Sequence, residues 1–351
     1  MLRLFQTLNR VAVIKATIAV VIVGFLVLLG SRDLQNFDPA LIAYLIGTLF
    51  AVFGIAYRYS VWLQRPPTRL YWRRSMNFLF SKDFISYALR SLKLFFKNII
   101  FQRFIAHRSK TRWAGHFLMA IGCLLAFAIT IPLTFGWIHF ELRPGDDVTY
   151  YAKVFGFEAG TFPLGSVQAF VAFHGLVWCS ILVIIGSVMM MKRRVTDGGL
   201  IATQSFSEDL LPLILLIAIS VTGLGISYDY TFLQGKTYQF MAVTHAIVVI
   251  LWLVWLPFGK FFHIFQRLAQ LGANLYKHEG ERRGMATCEH TGKEFATQLH
   301  VNDLKTLTKD LGFDYDKKDG RNHLDLSPEG KRSALAKAHF EARKESGKFF
   351  G

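Results

Sequence analysis

Six apolar stretches, at about 11–29, 40–57, 113–138, 167–191, 209–226 and 238–262, dominate this sequence. As helices rising about 1.5 Å per residue, each approaches or exceeds the roughly 30 Å of a bilayer's hydrocarbon core. A chain inside hydrocarbon must satisfy its backbone hydrogen bonds internally, and a run of apolar residues this long does so as a helix. The expected fold class is therefore all-α: a polytopic membrane helical bundle of about six transmembrane helices within residues 1–265. The fifth stretch is the weakest, being short and interrupted by Pro212, with Gly223 and Gly225 following. Residues 266–351, with sixteen basic and thirteen acidic side chains well mixed in sign, read as a small soluble C-terminal tail.

Charge placement supplies the topology. The chain has a formal net charge of +16, but its cations cluster beside apolar runs, as orientation signals do, so nucleic-acid binding is not expected. The 58–112 connection holds thirteen Lys and Arg against one acid, Asp83. The 30–39 loop holds Arg32 against Asp33 and Asp38, and the 139–166 loop holds Arg143 and Lys153 against Glu141, Asp146, Asp147 and Glu158. The positive-inside rule then puts both termini in the cytoplasm of a bacterial inner membrane. Arg3 and Arg10 precede the first apolar run as in a signal peptide. That run contains Lys15 and lacks a small-x-small cleavage site, which predicts an uncleaved anchor. Residues 78–105 mix apolar side chains with Lys82, Arg90, Lys93, Lys97 and Arg103. They predict one or two amphipathic helices, lying on the cytoplasmic interface or docking a partner subunit, and the two roles can coexist. The three cysteines form no Cys-x-x-Cys pair, so neither a thiolate-held cluster nor covalent haem attachment is expected.

Histidines carry the chemistry. His107, His116, His139, His174, His245 and His263 lie in or beside the spans, and an ionisable group there marks a functional site by default. His245 and His263 are eighteen residues apart. On a continuous helix that is five full turns and a rise of roughly 27 Å, giving one face with a ligand near each membrane surface. Pro257 lies between them and can kink that helix. Depth matching pairs His174 with His245 on the periplasmic side and His116 with His263 on the cytoplasmic side. Two histidine pairs at two depths suit two non-covalently held haems, each iron taking two axial imidazoles. His107 competes with His116 but sits in a basic run. His139 falls at the outer end of the third span and could serve a quinol site.

Two segments resemble a known family. The last span and its exit, THAIVVILWLVWLPFGKFFHIF, resemble the final helix of the respiratory nitrate reductase gamma subunit and of heterodisulfide-reductase-like membrane subunits. RWAGHFLMAIG, with His116 and Gly122, resembles the same family's His-x5-Gly helix. The likeness covers roughly 110–265. It departs from the nitrate reductase pattern in taking His174 from a different helix, closer to the heterodisulfide-reductase-like branch. The tail segment around Cys288 and His290 resembles a zinc ribbon that has lost its other cysteines, so no zinc is expected there.

The resemblance implies a dihaem b-type cytochrome subunit of a respiratory complex. It would pass electrons between membrane quinone and an iron–sulfur or other redox partner. Arg112 and Lys260, with Arg108 and Arg267, sit where haem propionates and an acidic partner could be met, although as positive-inside anchors they need no such role. Glu141, Asp146, Asp147 and Glu158 are candidates for handling protons. A proton-coupled transporter or channel is the rival reading, against which the sequence shows no internal repeat. A purely structural anchor would leave the histidine pairs unexplained.

Overall fold

The computed structural model describes residues 9–316, 320–345 and 347. Its helices begin where side chains can cap them. Asn9 starts α1 (Arg10–Gly30) by accepting the Ala12 N–H at 3.0 Å. Asp38 accepts the Ala40 N–H at 2.9 Å, and the Pro39–Leu41 turn then runs into α2 (Ile42–Gln64). Next come α3 (Pro66–Leu79), α4 (Phe84–Leu94), a π-helical turn (Phe95–Ile100) and the short α5 (Arg103–Ala106). Ser109 caps α6 (Lys110–Thr134) and Ser166 caps α7 (Val167–Thr196). After α8 (Gly198–Thr203), a second π-helical turn (Phe206–Leu210) leads into α9 (Leu211–Phe232). The remaining helices are α10 (Tyr238–Trp255), α11 (His263–Arg283), α12 (Gln298–Asp310) and α13 (Pro328–Glu345).

Six segments among the described residues are long and apolar enough to cross a membrane. They are Arg10–Gly30, Pro39–Gln64, Lys110–Thr134, Val167–Thr196, Phe206–Phe232 and Tyr238–Trp255. All six expected stretches appear as helices of sufficient length; the second, fourth and fifth run five or more residues longer than expected, and the third ends at Thr134 rather than 138.

The last span departs from expectation. It is not one helix from 238 to 262: α10 stops at Trp255, a 3-10 turn covers Lys260–Phe262, and His263 opens α11. Pro257 has no N–H to continue the ladder, and Gly259 sits where a Cβ would lie 2.4 Å from the Trp255 indole nitrogen. His245 and His263 therefore stand on separate helices, and the five-turn argument does not apply to them.

The 139–166 connection is also more than a loop. It holds a three-stranded antiparallel sheet, β1 (Ile138–Arg143), β2 (Asp146–Val154) and β3 (Phe157–Pro163), so the chain is mainly but not wholly helical. Phe155 and Gly156 join β2 to β3 with φ of 51° and 76°, the paired positive values of a type I′ hairpin. Phe140, Tyr150 and Phe162 gather around Phe173 of α7, with ring centroids 5.4–6.0 Å from it.

The chain divides into two compact units. One comprises residues 1–61 and 96–266, the other 62–95 and 267–351. In the first, Ala51, Val183, Leu216, Trp252, Leu253, Leu256 and Phe261 form the main buried cluster. Its closest helix crossing, α6 on α7, runs through glycines. A Cβ on Gly186 would lie 2.4 Å from the Met119 backbone nitrogen and 2.6 Å from the Gly115 carbonyl. Helices without a hydrophobic drive to associate approach each other at such small residues.

In the second unit, Phe78 and Tyr87 of the amphipathic segment pack on Leu275, Tyr276 and Leu299. Part of that segment's apolar face is thus covered by the C-terminal tail of the same chain, while Ile85, Leu89 and Leu92 stay exposed along α4. Two buried carboxylates tie the unit together. Glu279 accepts the Tyr87 hydroxyl at 2.6 Å and pairs with Arg282 and Arg283. Asp303 takes Arg74 at 2.5 and 3.2 Å and the Tyr276 hydroxyl at 2.9 Å. Strands β4 (Met285–Thr287) and β5 (Glu294–Thr297) form a hairpin. Just past β4, the buried Cys288 Sγ receives the Ser327 N–H at 3.2 Å.

Candidate functional site

At one end of the first unit the structure brings His116 and His263 together. Their ring centroids are 6.5 Å apart, with planes inclined at 65°. Two neighbouring imidazoles are the donor set that a non-covalently held haem iron would need, and His116 and His263 would be the residues to hold it.

The other ring nitrogens are occupied in the way a metal ligand requires. His263 Nδ1 lies 2.5 Å from the Lys260 carbonyl, and His116 Nδ1 lies 2.7 Å from Gln102 Oε1. Both acceptors are carbonyl oxygens, so each Nδ1 is the donor. This outer hydrogen bond is what fixes tautomer and ring orientation in metal-binding histidines. Gln102 is buried with a left-handed backbone, φ 49°, at the entrance to α5. The Trp113 indole N–H holds that corner by donating to the Phe101 carbonyl at 2.8 Å.

His174 and His245 are each the eighth residue of a helix entering from the sheet end, so their levels in the bundle match. Both show the same tautomer logic. His174 Nδ1 donates to the Phe170 carbonyl at 2.9 Å. His245 Nδ1 lies 2.9 Å from Thr222 Oγ1, whose own hydrogen goes to the Ala218 carbonyl at 2.7 Å, so the histidine is again the donor. Gly223 leaves room for the His245 ring, since a Cβ there would lie 3.3 Å from its Cε1.

His245 lines a mostly apolar cavity of about 340 Å³ between α6, α7, α9 and α10. The indole nitrogen of Trp252, also in its wall, is buried without an acceptor among the described residues. A flat apolar group with polar edges suits such a space. His174 does not line it. Its neighbours Phe173 and Val177 do, while the His174 ring stacks on Phe170 at 4.3 Å. The structure thus joins His116 to His263 by geometry, and His174 to His245 only by level.

The basic residues divide. Arg112 is exposed on the first turn of α6. Lys260 is already paired with Asp209, a buried carboxylate that also takes Arg194 at 2.7 Å and the Ser205 N–H at 3.0 Å. His107 is exposed in the turn before α6.

On the sheet, His139 donates to Glu141 at 3.1 Å and Lys153 pairs with the same carboxylate. The Lys153 hydrogen bond holds the Glu141 carboxyl below its ordinary value. Thr149 and the Val148 N–H do the same for Asp146, which caps its own turn. Both are held ionised, which suits structure better than proton uptake near neutrality. Asp147 and Glu158 are exposed.

Gln102, Thr222, Asp209 and Arg58, which donates to the Pro257 carbonyl at 2.7 Å, were not signalled as site residues by sequence. A polar side chain in or beside a span was the only available cue.

Fold and site together define a helical chain with six segments able to span a membrane, three of which carry His116, His174 and His245. No family model, curated protein or solved structure compared with this chain gives a match.

Proposed function

We propose that this chain is the dihaem b-type cytochrome subunit of a bacterial inner-membrane respiratory complex, passing electrons between the quinone pool and a partner redox subunit. The observation that carries the reading is the His116–His263 pair, 6.5 Å apart with both Nδ1 atoms on carbonyl acceptors. These two would hold the cytoplasmic-side haem, and His174 with His245 the periplasmic-side one. When bound, haem supplies reversible one-electron transfer at its iron.

The protein's own residues orient and insulate. Gln102 and the Lys260 carbonyl set the ring planes at one level, and the Phe170 carbonyl and Thr222 set them at the other. The apolar walls beside His245 exclude water, and the buried Trp252 N–H offers a donor at the cavity edge. With both termini cytoplasmic, a soluble iron–sulfur or similar partner would dock beside His116 and His263, and quinol would react at the opposite level. Relationship to the nitrate reductase gamma-like and heterodisulfide-reductase-like membrane subunits belongs to the same proposal and is supported by the motifs around His116 and His263.

The test is a reduced-minus-oxidised optical spectrum of the purified protein with haem extraction. Two b-type haems per chain are expected, with His116→Ala and His174→Ala each removing a different one. A protein without a b-type signal would sink the proposal. Proton flux through vesicles containing it would then favour the transporter reading.

A further inference from the structure

We infer that Arg58, on the second span, is a positioning residue that closes the break in the last span and so sets where His263 stands. The inference rests on the assignment of His263 as a haem ligand.

A helix end leaves backbone carbonyls without intrahelical partners, and in apolar surroundings such groups must be satisfied by something else. At the end of α10 that something is Arg58. Its Nη1 donates to the carbonyls of Pro257 at 2.7 Å, Phe258 at 2.9 Å and Gly259 at 3.3 Å. Three successive carbonyls thus converge on one guanidinium, whose donors form a planar fork.

The same guanidinium stands over the Phe262 ring, 4.4 Å from its centroid, and Phe262 immediately precedes His263. One turn earlier on α2, Gly54 lets the Pro257 ring come so near that a Cβ would lie 2.6 Å from it. Spaced i and i+4, Gly54 and Arg58 lie on one face of α2, and both meet this turn. Its far end is fixed independently. Lys260 is paired with Asp209, and the Lys260 carbonyl accepts the His263 Nδ1–H. The connection therefore leads from Arg58 to carbonyls 257–259, then through the 3-10 turn, where Phe261 and Phe262 are buried, to the ligand. The second span gains a role as the brace of the inner haem site.

The experiment compares the full-length protein with Arg58→Leu and Arg58→Lys, reading haem content, electron paramagnetic resonance and a potentiometric titration. The wild type should carry two spectrally distinct haems. Arg58→Leu should lose one of them, or shift its signal and midpoint potential, while the other stays unmoved. Arg58→Lys, which keeps the charge but lacks the planar fork, should retain both haems with only that one component displaced. Should Arg58→Leu fail to accumulate, Arg58→Lys alone decides. Unchanged signals and potentials in the variant that accumulates would overturn the brace and leave the ligand assignment standing. A wild type without haem would overturn both.

Discussion

The crossing of α6 and α7 offers a direct test of how the first unit is held together. Gly186→Ala places a Cβ 2.4 Å from the Met119 nitrogen and 2.6 Å from the Gly115 oxygen, where ordinary contact begins near 3.4 Å. Both obstructing atoms are backbone, so no side chain can rotate away, and the two helices must part by about 1 Å. Overpacking of this kind costs about 1–3 kcal/mol, and a backbone clash belongs in the upper half of that range.

Alanine also has a helix propensity about 1 kcal/mol better than glycine, which acts in the opposite direction. Gly24→Ala on α1 isolates that second effect, because a Cβ there meets nothing within 4 Å. The quantity to measure is the difference between the two variants in reversible unfolding from mixed micelles, followed by circular dichroism and tryptophan fluorescence. It should be about 2–3 kcal/mol against Gly186→Ala, a factor of roughly 30–150 in the unfolding equilibrium. A difference below about 0.5 kcal/mol would mean that the helices do not cross at these glycines. Because His116 adjoins Gly115, the same variant should also perturb the haem assigned to His116 and His263.

Three further outcomes follow from particular contacts. Burial disfavours the Glu279 charge, yet Tyr87, Arg283 and Arg282 outweigh it and hold the carboxyl below its ordinary value. A carboxyl depressed in the fold stabilises fully above its unfolded value and loses that contribution as pH falls through the folded one. Hydrogen-exchange protection in α11 should therefore drop below about pH 4.5 in the wild type, and Glu279→Gln should flatten that dependence. With its arginine partners half exposed, the same substitution should cost the unit about 1–3 kcal/mol at neutral pH, read by thermal unfolding. Thr222→Val removes the acceptor of His245 Nδ1; haem titration should show roughly 10–100-fold weaker binding at one site only, and equal affinities would remove Thr222 from the site.

Much of the frame was legible because apolar run length is a local property. All six spans could be read from it, and Pro257 with Gly259 already marked the place where the last one breaks. An eighteen-residue spacing that fits five helical turns masked that signal, since periodicity assumes the unbroken helix it is used to demonstrate. The sheet was missed for a different reason. Charge counting treated 139–166 as a loop, although Pro144-Gly145 and Phe155-Gly156 bracket alternating strand residues. Of the candidate site, the nearness of His116 to His263 was legible from depth. Arg58 passed as a topology charge and Asp209 as the edge of the fifth apolar stretch, because their partners are backbone carbonyls and cations far away in sequence. Gln102 had no signal, its role depending on a left-handed corner. Nor could one sequence reveal that Tyr87 meets Glu279, with nearly two hundred residues between them.

That last separation has a consequence for synthesis. Residues 62–95 leave the ribosome early, but the residues that complete their unit, from Arg267 onward, follow about 170 residues later. At roughly 5–20 residues per second, the interval is about 10–35 s. Throughout it, Phe78 and Tyr87 lack Leu275, Tyr276 and Leu299, while four more segments long and apolar enough to cross a membrane are made. An amphipathic stretch with Ile85, Leu89 and Leu92 on one side and five cations along its length can wait on an anionic lipid surface instead. Truncation before Arg267 would make that waiting state permanent.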